Sequence, residues 1–140
     1  MAELTPGEID HAALMARATR ADCGAVVLFL GTTRDHHDGR RVLRLANEAY
    51  EPMALEVLAQ LEREACERFN ASYCEVTHRL GEVPPCEASV VVVVSAAHRG
   101  AAYDASRWVM DQLKARAPIW KQERFAGGGS QWVHGTPLRD

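Results

Sequence analysis

The sequence of 140 residues has no long apolar run, no basic excess and no recognisable targeting segment. No stretch approaches the roughly 20 apolar residues that span a bilayer, and the N-terminus lacks the basic start and apolar core of a signal peptide. A net charge of −3 argues against a general nucleic-acid binder, because such proteins carry excess lysine and arginine. These absences predict a soluble cytoplasmic protein that binds neither membranes nor nucleic acid.

Cysteine is also sparse, and its spacing excludes the common metal and redox motifs. The four cysteines contain no C-x-x-C pair, so neither a structural zinc site nor a redox dithiol is supported. Reduced thiols that pack in a cytoplasmic protein are expected instead. No P-loop, dinucleotide fingerprint, G-x-S-x-G or H-E-x-x-H motif is present. We therefore expect neither a bound metal nor a cofactor.

The spacing of apolar residues predicts one α+β domain over residues 1–140. The first helix should start at Thr5, which suits an N-cap, with Pro6 in the first helical position and Glu8 completing a capping box. Helices are predicted at 5–20, 52–69 and 101–116. Strands are predicted at 24–31, 42–50, 72–80 and 90–94, with two short strands around 127–129. The half-buried strand 72–80 and the valine-rich strand 90–94 should pair as an antiparallel hairpin.

The valine-rich strand leads into a polar corner that carries His98 and Arg99, and an amphipathic helix follows. Free N–H groups and the helix dipole favour negative charge at a helix N-terminus. A guanidinium suits two-pronged contact with phosphate or carboxylate. The pattern therefore indicates an anion site. An ordinary helix-start histidine beside a surface arginine is the alternative.

Two lysines follow this corner. Lys114 lies at the edge of the apolar stripe of the predicted helix, where partial burial lowers the pKa of an amine and suits it to proton transfer. A lysine that merely extends its charge to water is the alternative. Lys121 is predicted to lie in a turn, because Pro118 disfavours helical geometry at the residue before it. By itself it is interpreted as a solvated surface charge.

The loop at 34–38 is dense in charge and histidine. Arg34 could contact an anion from a flexible cationic loop. Alternatively, His36, His37 and Asp38 could bind a metal in the manner of a phosphohydrolase, although further ligands at suitable spacing are missing. A solvated loop without function is the third interpretation.

Four segments resemble the large, catalytic subunit family of molybdopterin synthase: FLGTTRDHHDGRRVLRLANEAYEPMA, HRLGEVPPCE, SAAHRGAAYDASRWVMDQLKARAPIWKQE and QWV. The resemblance covers residues 24–133. It is most specific at 95–123, with H-R at 98–99 and K-x-R-x-P-x-W-K at 114–121. It implies an α/β hammerhead-type domain with an additional small antiparallel sheet.

The resemblance also implies a reaction and partners. Members convert cyclic pyranopterin monophosphate, or precursor Z, to molybdopterin by inserting two sulfurs as a dithiolene. The sulfur arrives as a thiocarboxylate on the C-terminal glycine of a small ubiquitin-like subunit, whose tail enters the large subunit. The expected assembly is a heterotetramer built around a homodimer of large subunits. A non-catalytic module that binds a pterin or phosphate is the competing hypothesis.

Matching residue by residue assigns roles to eight positions. Lys114 and Lys121 match the catalytic lysines. The substrate-binding positions are Arg34, His98 and Arg99 as anion contacts, with Phe29, Met110 and Arg116 as pocket lining or support. A basic residue that family members place after W-V, reaching a neighbouring subunit, is displaced here, which leaves His134 or Arg139 as its substitute.

Overall fold

The valine-rich strand forms the centre of a four-stranded sheet in the computed structural model, which describes residues 1–133. In chain order the elements are β1 (Glu3–Thr5), α1 (His11–Ala18), β2 (Ala25–Thr32), β3 (His36–His37), β4 (Arg40–Ala49), α2 (Glu51–Phe69), β5 (Tyr73–Arg79), β6 (Gly81–Val83), β7 (Ala88–Ala96), α3 (Arg99–Arg116), β8 (Ile119–Phe125) and β9 (Ser130–Val133). None of the helices within these residues is both long and apolar enough to cross a bilayer.

The first sheet has the order β1-β5-β7-β2. The central strand β7 pairs antiparallel with β2 and β5, which confirms the predicted hairpin, and β1 is parallel to β5. Alternate valines of β7 face the two sides of the sheet. Val90, Val92 and Val94 pack under α2 and α3, whereas Val91 and Val93 pack under α1. Burial on both faces explains why this strand is apolar at every position instead of alternating.

Helix α3 runs back along the sheet that it follows. It starts directly after β7 and packs against β7 and β2. Its buried positions, at helical spacing, include Ala102, Ala105, Val109 and Leu113. Since β2 ends where β7 begins, with Thr32 opposite Ala88, the C-terminal end of α3 lies near the C-terminal end of β2. The topology thus brings the end of α3, the end of β2 and the start of β7 to the same end of the sheet.

The second sheet contains β3, β4, β8 and β9, and β6 also pairs with β4. Strands β4 and β8 are its long antiparallel pair. Val42, Ala46 and Phe125 are buried in it, and the guanidinium of Arg40 lies 3.7 Å from the ring centroid of Phe125. The α+β class and the additional antiparallel sheet predicted from the sequence are both confirmed.

The predicted start of the first helix is wrong. Thr5 belongs to β1, opposite Arg79, and its hydroxyl accepts a 3.4 Å hydrogen bond from the backbone N–H of Gly7. The helix starts six residues later, at His11, where Asp10 is the N-cap and accepts from the N–H of Ala13 at 3.1 Å. The backbone groups of residues 3–5 form hydrogen bonds with the edge of β5. This pairing satisfies them without a helix N-terminus at Thr5.

Two further predictions differ from the structure. Lys121 lies in β8, not in a turn. The backbone at Ala117 is extended (φ −77°, ψ 130°) as Pro118 requires, and the chain continues directly into the strand. Strand β5 was expected to be half buried, but it is buried on both faces from Cys74 to His78. Its second face is polar yet covered, because Glu75 lies under α1 and binds Arg17.

Candidate active site

The C-terminal end of α3 and the strand β8 bring Lys114 and Lys121 close enough to influence each other. The pKa of Lys121 is lowered, first by burial of its amine and second by the positive charge of Lys114. A lowered pKa increases the share of neutral amine at a given pH, and the neutral form accepts protons and attacks carbonyls. Lys114 itself is exposed. One half-buried and one exposed lysine therefore occupy the same corner.

Polar side chains from the sheet lie beside Lys121. Asn47 is its cross-strand neighbour on β4, and residues opposite each other on antiparallel strands share a face. His78, at the end of β5, is fully buried. Burial lowers the pKa of His78 to about 4, with the charge of Lys121 acting in the same direction and a hydrogen bond to the Arg79 carbonyl opposing it. Asn47 and His78 are not among the residues predicted for the site from the sequence. A signal in the sequence for His78 is its place on the apolar face of β5, in line with Cys74 and Val76.

Phe29 and Met110 lie at the same edge of the fold. Phe29 is 37% exposed and its ring lies over Gly31, where a Cβ would come within 3.4 Å of it and within 2.8 Å of the Val90 side chain. Met110 is half-buried against the main core and precedes Lys114 by one helical turn, so the two share a helix face. The role of Phe29 and Met110 as pocket lining stays a prediction.

The loop that carries Arg34 follows β2 at this edge. Arg34 is exposed, and its neighbour Thr33 is buried and bridges to Pro85. Arg34 therefore follows an anchored backbone position, and its side chain is exposed to solvent.

Each loop histidine is paired with a carboxylate. His36 contacts Asp35 at 2.8 Å. The Nδ1 atom of His37 contacts Glu123 of β8, and its Nε2 atom lies 3.4 Å from Asp38. Within residues 1–133 no group of three or more His, Cys, Asp or Glu side chains is arranged to hold a metal. The pairing of His37 with Glu123 instead ties the β3–β4 hairpin to the strand that carries Lys121.

His98 and Arg99 lie at the opposite end of α3. His98 is the N-cap residue, and both side chains border an open concavity of about 610 Å³ whose wall also contains Gly24, Ala97 and Gly100. Lys114 follows Arg99 by 15 residues, which corresponds to about 22 Å along a helix that rises about 1.5 Å per residue. Within a single chain, His98 and Arg99 therefore lie too far from Lys114 to contact the same small ligand.

The remaining predicted residues have other placements. Arg116 forms a 3.0 Å ion pair with Glu64, so it ties α3 to α2 and supports the helix that bears Lys114. His134 and Arg139, the two substitutes for the displaced basic residue, lie outside the described residues.

Comparison with known proteins assigns the chain to a protein family. The family model described as MoaE protein matches residues 4–116, and the chain belongs to that family. Relatives named molybdopterin synthase catalytic subunit are similar over nearly the whole chain. The protein of Thermoplasma volcanium is 42% identical over 130 residues, which are 93% of this chain and 95% of that protein. The protein of Bacillus subtilis is 38% identical over 131 residues, or 94% and 83%.

Solved structures agree with this assignment. Molybdopterin synthase from Staphylococcus aureus superimposes with a TM-score of 0.88 at 32% identity and covers 94% of this chain and 95% of that one. A complex of subunits 1 and 2 of molybdopterin-converting factor from Helicobacter pylori has a TM-score of 0.75 at 20% identity, over 95% and 88% of the two chains, and shows the shared fold. The predicted hammerhead-type fold, the enzyme class and the function as a molybdopterin synthase catalytic subunit are confirmed.

Proposed function

We propose that this chain converts cyclic pyranopterin monophosphate to molybdopterin at the corner formed by Lys114 and Lys121. The sulfur would come from the thiocarboxylated C-terminus of a small ubiquitin-like subunit. The observation that carries this proposal is the pair formed by Lys114 at the end of α3 and Lys121 in β8, the first exposed and the second half-buried with a lowered pKa. The complex of two subunits in the Helicobacter pylori structure supports the expectation of a small partner.

The two lysines suit different parts of the chemistry. When the thiocarboxylate sulfur attacks a substrate carbon that bears an oxygen of the cyclic phosphate, a C–S bond forms as that C–O bond breaks. The phosphate oxygen keeps the electron pair, the phosphate ring opens, and an acyl thioester joins the two molecules. Water then cleaves the acyl C–S bond, so that the partner leaves as a carboxylate and the sulfur stays on the pterin. A charged amine stabilises the developing negative charge in both steps. The buried amine of Lys121, with its lowered pKa, accepts and returns protons as the cyclic phosphate opens.

A neutral amine also allows a second route. It can attack the acyl group of the thioester and hold it transiently before hydrolysis. Burial of Lys121 favours that lysine over Lys114 for this step, because the neutral form is the nucleophile. Mass spectrometry of the quenched reaction distinguishes the two routes. Only the second route joins the partner's C-terminus to a lysine as an amide.

The first test is reconstitution. Purified chain, a thiocarboxylated small subunit and precursor Z should yield molybdopterin, and Lys114→Ala should abolish this product while the far-UV circular dichroism spectrum is kept. Arg107→Ala is the matched control, because Arg107 is an exposed cation on the same helix and should leave turnover unchanged. Full turnover by Lys114→Ala would contradict the site. Retained ligand binding without any turnover by the unmodified chain would favour the non-catalytic pterin-binding module.

We also propose that a homodimer completes the site within a heterotetramer. The support is the separation of about 22 Å along α3 between Arg99 and Lys114: one chain cannot apply both ends of this helix to one small substrate. In a twofold dimer each interface contact occurs twice, so His98 and Arg99 of one copy can face Lys114 and Lys121 of the other. The phosphate of the substrate would then be bound by His98, Arg99 and Arg34.

Mixed copies test this arrangement. An equimolar mixture of His98→Ala and Lys121→Ala chains, unfolded and refolded together, forms about half mixed dimers. Each mixed dimer has one intact shared site, so about a quarter of full activity should return. If each site were built from a single chain, every site would carry one defect and no activity would return. Either chain refolded alone is the control.

We place the reaction in the cytoplasm. All four cysteines are free thiols, which suits a reducing compartment.

A further inference from the structure

The polar side chains beside Lys121 include a histidine, His78, that uses only one of its two ring nitrogens in a hydrogen bond. His78 is fully buried, and its Nδ1 atom lies 3.0 Å from the carbonyl oxygen of Arg79. A carbonyl only accepts, so Nδ1 carries the proton and Nε2 holds a free lone pair. Among the described residues Nε2 has no hydrogen-bond partner. A buried acceptor of this kind is costly unless a donor reaches it.

A second acceptor lies on the same side. The amide nitrogen of Asn47 donates to the Arg79 carbonyl at 2.9 Å and to the Ser89 hydroxyl at 2.6 Å, which uses both of its N–H groups. Its Oδ1 atom has no partner among the described residues. These bonds show that the Asn47 side chain reaches from the second sheet to the first, at the place where β5 and β7 meet.

Lys121 is the side chain that can supply the missing donors. It lies opposite Asn47 in the β4–β8 register and therefore shares a face with it, and it is mostly removed from solvent. Its amine carries up to three N–H groups and needs acceptors when buried. Two other charged side chains of these strands are already paired, Arg79 with Glu87 at 2.8 Å and Glu123 with His37.

We propose that His78 is a positioning residue for Lys121: its neutral imidazole accepts a hydrogen bond from the lysine amine through Nε2, directly or through one water, with Asn47 Oδ1 as the second acceptor. This inference concerns the site of the proposed function, and its catalytic consequence rests on that function. Two opposing effects then set the protonation of Lys121. Burial and the charge of Lys114 lower its pKa, whereas the two acceptors stabilise the charged form and limit the decrease.

The imidazole is suited to this role because it stays neutral. Burial holds the pKa of His78 at about 4, so the ring keeps its Nε2 lone pair throughout the neutral range and adds no charge that would repel the lysine. A second lysine or an arginine in its place could not accept a hydrogen bond.

The test measures the pKa of Lys121 without any substrate. The rate of acetylation by acetic anhydride is followed against pH, and mass spectrometry reads the modification at Lys121. His78→Leu fills the space without an acceptor and should lower the pKa of Lys121 by about one unit, the size expected for one hydrogen bond to a charged group. His78→Gln, which restores an acceptor near the position of Nε2, should bring the value back. Thr77→Val removes a buried hydroxyl on the other face of β5 and should change nothing.

An unchanged pKa of Lys121 in His78→Leu, or a failure of His78→Gln to restore it, would overturn the inference. If His78→Leu does not fold, the wild-type chain decides. The ¹⁵N shift of His78 Nε2 should follow the titration of Lys121 and should lose this response in Lys121→Met, whereas a flat response in the wild-type chain refutes the contact. Both measurements are independent of turnover. Failure to form molybdopterin would therefore refute the proposed function and leave this pairing intact.

Discussion

Removal of Arg17 should destabilise the fold by leaving a buried carboxylate without its main partner. Glu75 is 3% exposed and receives two hydrogen bonds from Arg17, from Nε at 3.0 Å and from Nη2 at 2.9 Å. The Tyr73 hydroxyl donates a third at 2.5 Å. In the variant Arg17→Met, Glu75 keeps only the contact with Tyr73 and the N-terminal amine, which lies 3.6 Å away.

The size of the effect follows from the burial of the two partners. Breaking a fully buried ion pair costs about 3–5 kcal/mol. The Arg17 side chain is 49% exposed, so water screens part of the attraction. We expect Arg17→Met to lower the free energy of unfolding by about 2 kcal/mol, measured by urea denaturation near neutral pH. Arg20→Met is the matched control, because its ion pair with Asp22 is long, at 3.7 Å, and exposed.

The same pair predicts a pH dependence with a definite sign. Burial acts to raise the pKa of Glu75, but the hydrogen bonds from Arg17 and Tyr73 outweigh it, and the net pKa is lowered from 4.5. The pair therefore stabilises the fold fully above pH 4.5, and this contribution is lost as the pH falls through the lower folded-state pKa. The difference between wild type and Arg17→Met should narrow as the pH is lowered below 4.5. A difference below about 0.5 kcal/mol near neutral pH, or one that does not narrow, would refute the reasoning.

The remaining predictions concern backbone positions. Gly31→Ala places a Cβ 2.8 Å from Val90 Cγ1, and since valine is stiff at χ1, we expect urea denaturation to show a loss of about 1–3 kcal/mol. Asp10→Ala removes the N-cap bond to Ala13 and should cost about 1 kcal/mol, whereas Thr5→Ala should cost less, because Thr5 caps no helix.

Comparison variants check both of these effects. Gly7→Ala meets no atom within 4 Å and should leave stability nearly unchanged. Equal losses in Gly7→Ala and Gly31→Ala would show that the contact with Val90 is not the cause. A larger loss in Thr5→Ala than in Asp10→Ala would restore the capping box that the sequence predicted.

Local patterns predicted the elements whose burial is set by neighbours in the chain. The valine-rich strand and the helices α2 and α3 carry their apolar periodicity in consecutive residues, so their existence could be predicted before any pairing was known. The first helix was misplaced because a tertiary contact, the pairing of Thr5 with Arg79, overrode a local capping signal. Pro118 excludes a helix at the residue before it, but it does not distinguish a turn from a strand, since both accept extended backbone.

The site was predictable in its residue types more than in its geometry. The resemblance selected Lys114 and Lys121, and the structure brings these two lysines into electrostatic contact. The resemblance also assigned His98 and Arg99 to the substrate, but within one chain a helix of this length places them about 22 Å or more from Lys114. The positions of His78 and Asn47 beside Lys121 could not be predicted from the sequence, since they depend on the register of β4 against β8, which no local pattern encodes.

The connection between α3 and β8 has a consequence for how the chain tolerates insertions. Only Ala117 and Pro118 separate the two elements, and Lys121, Glu123 and Phe125 then point to one side of the strand. One added residue in this link would turn all three outward and bring Trp120, now 52% exposed, to the inside. The turn between β8 and β9, which contains the glycines at 127–129, could accept added residues without changing the face of either strand. Length variation among relatives should therefore be absent at the first connection and common at the second.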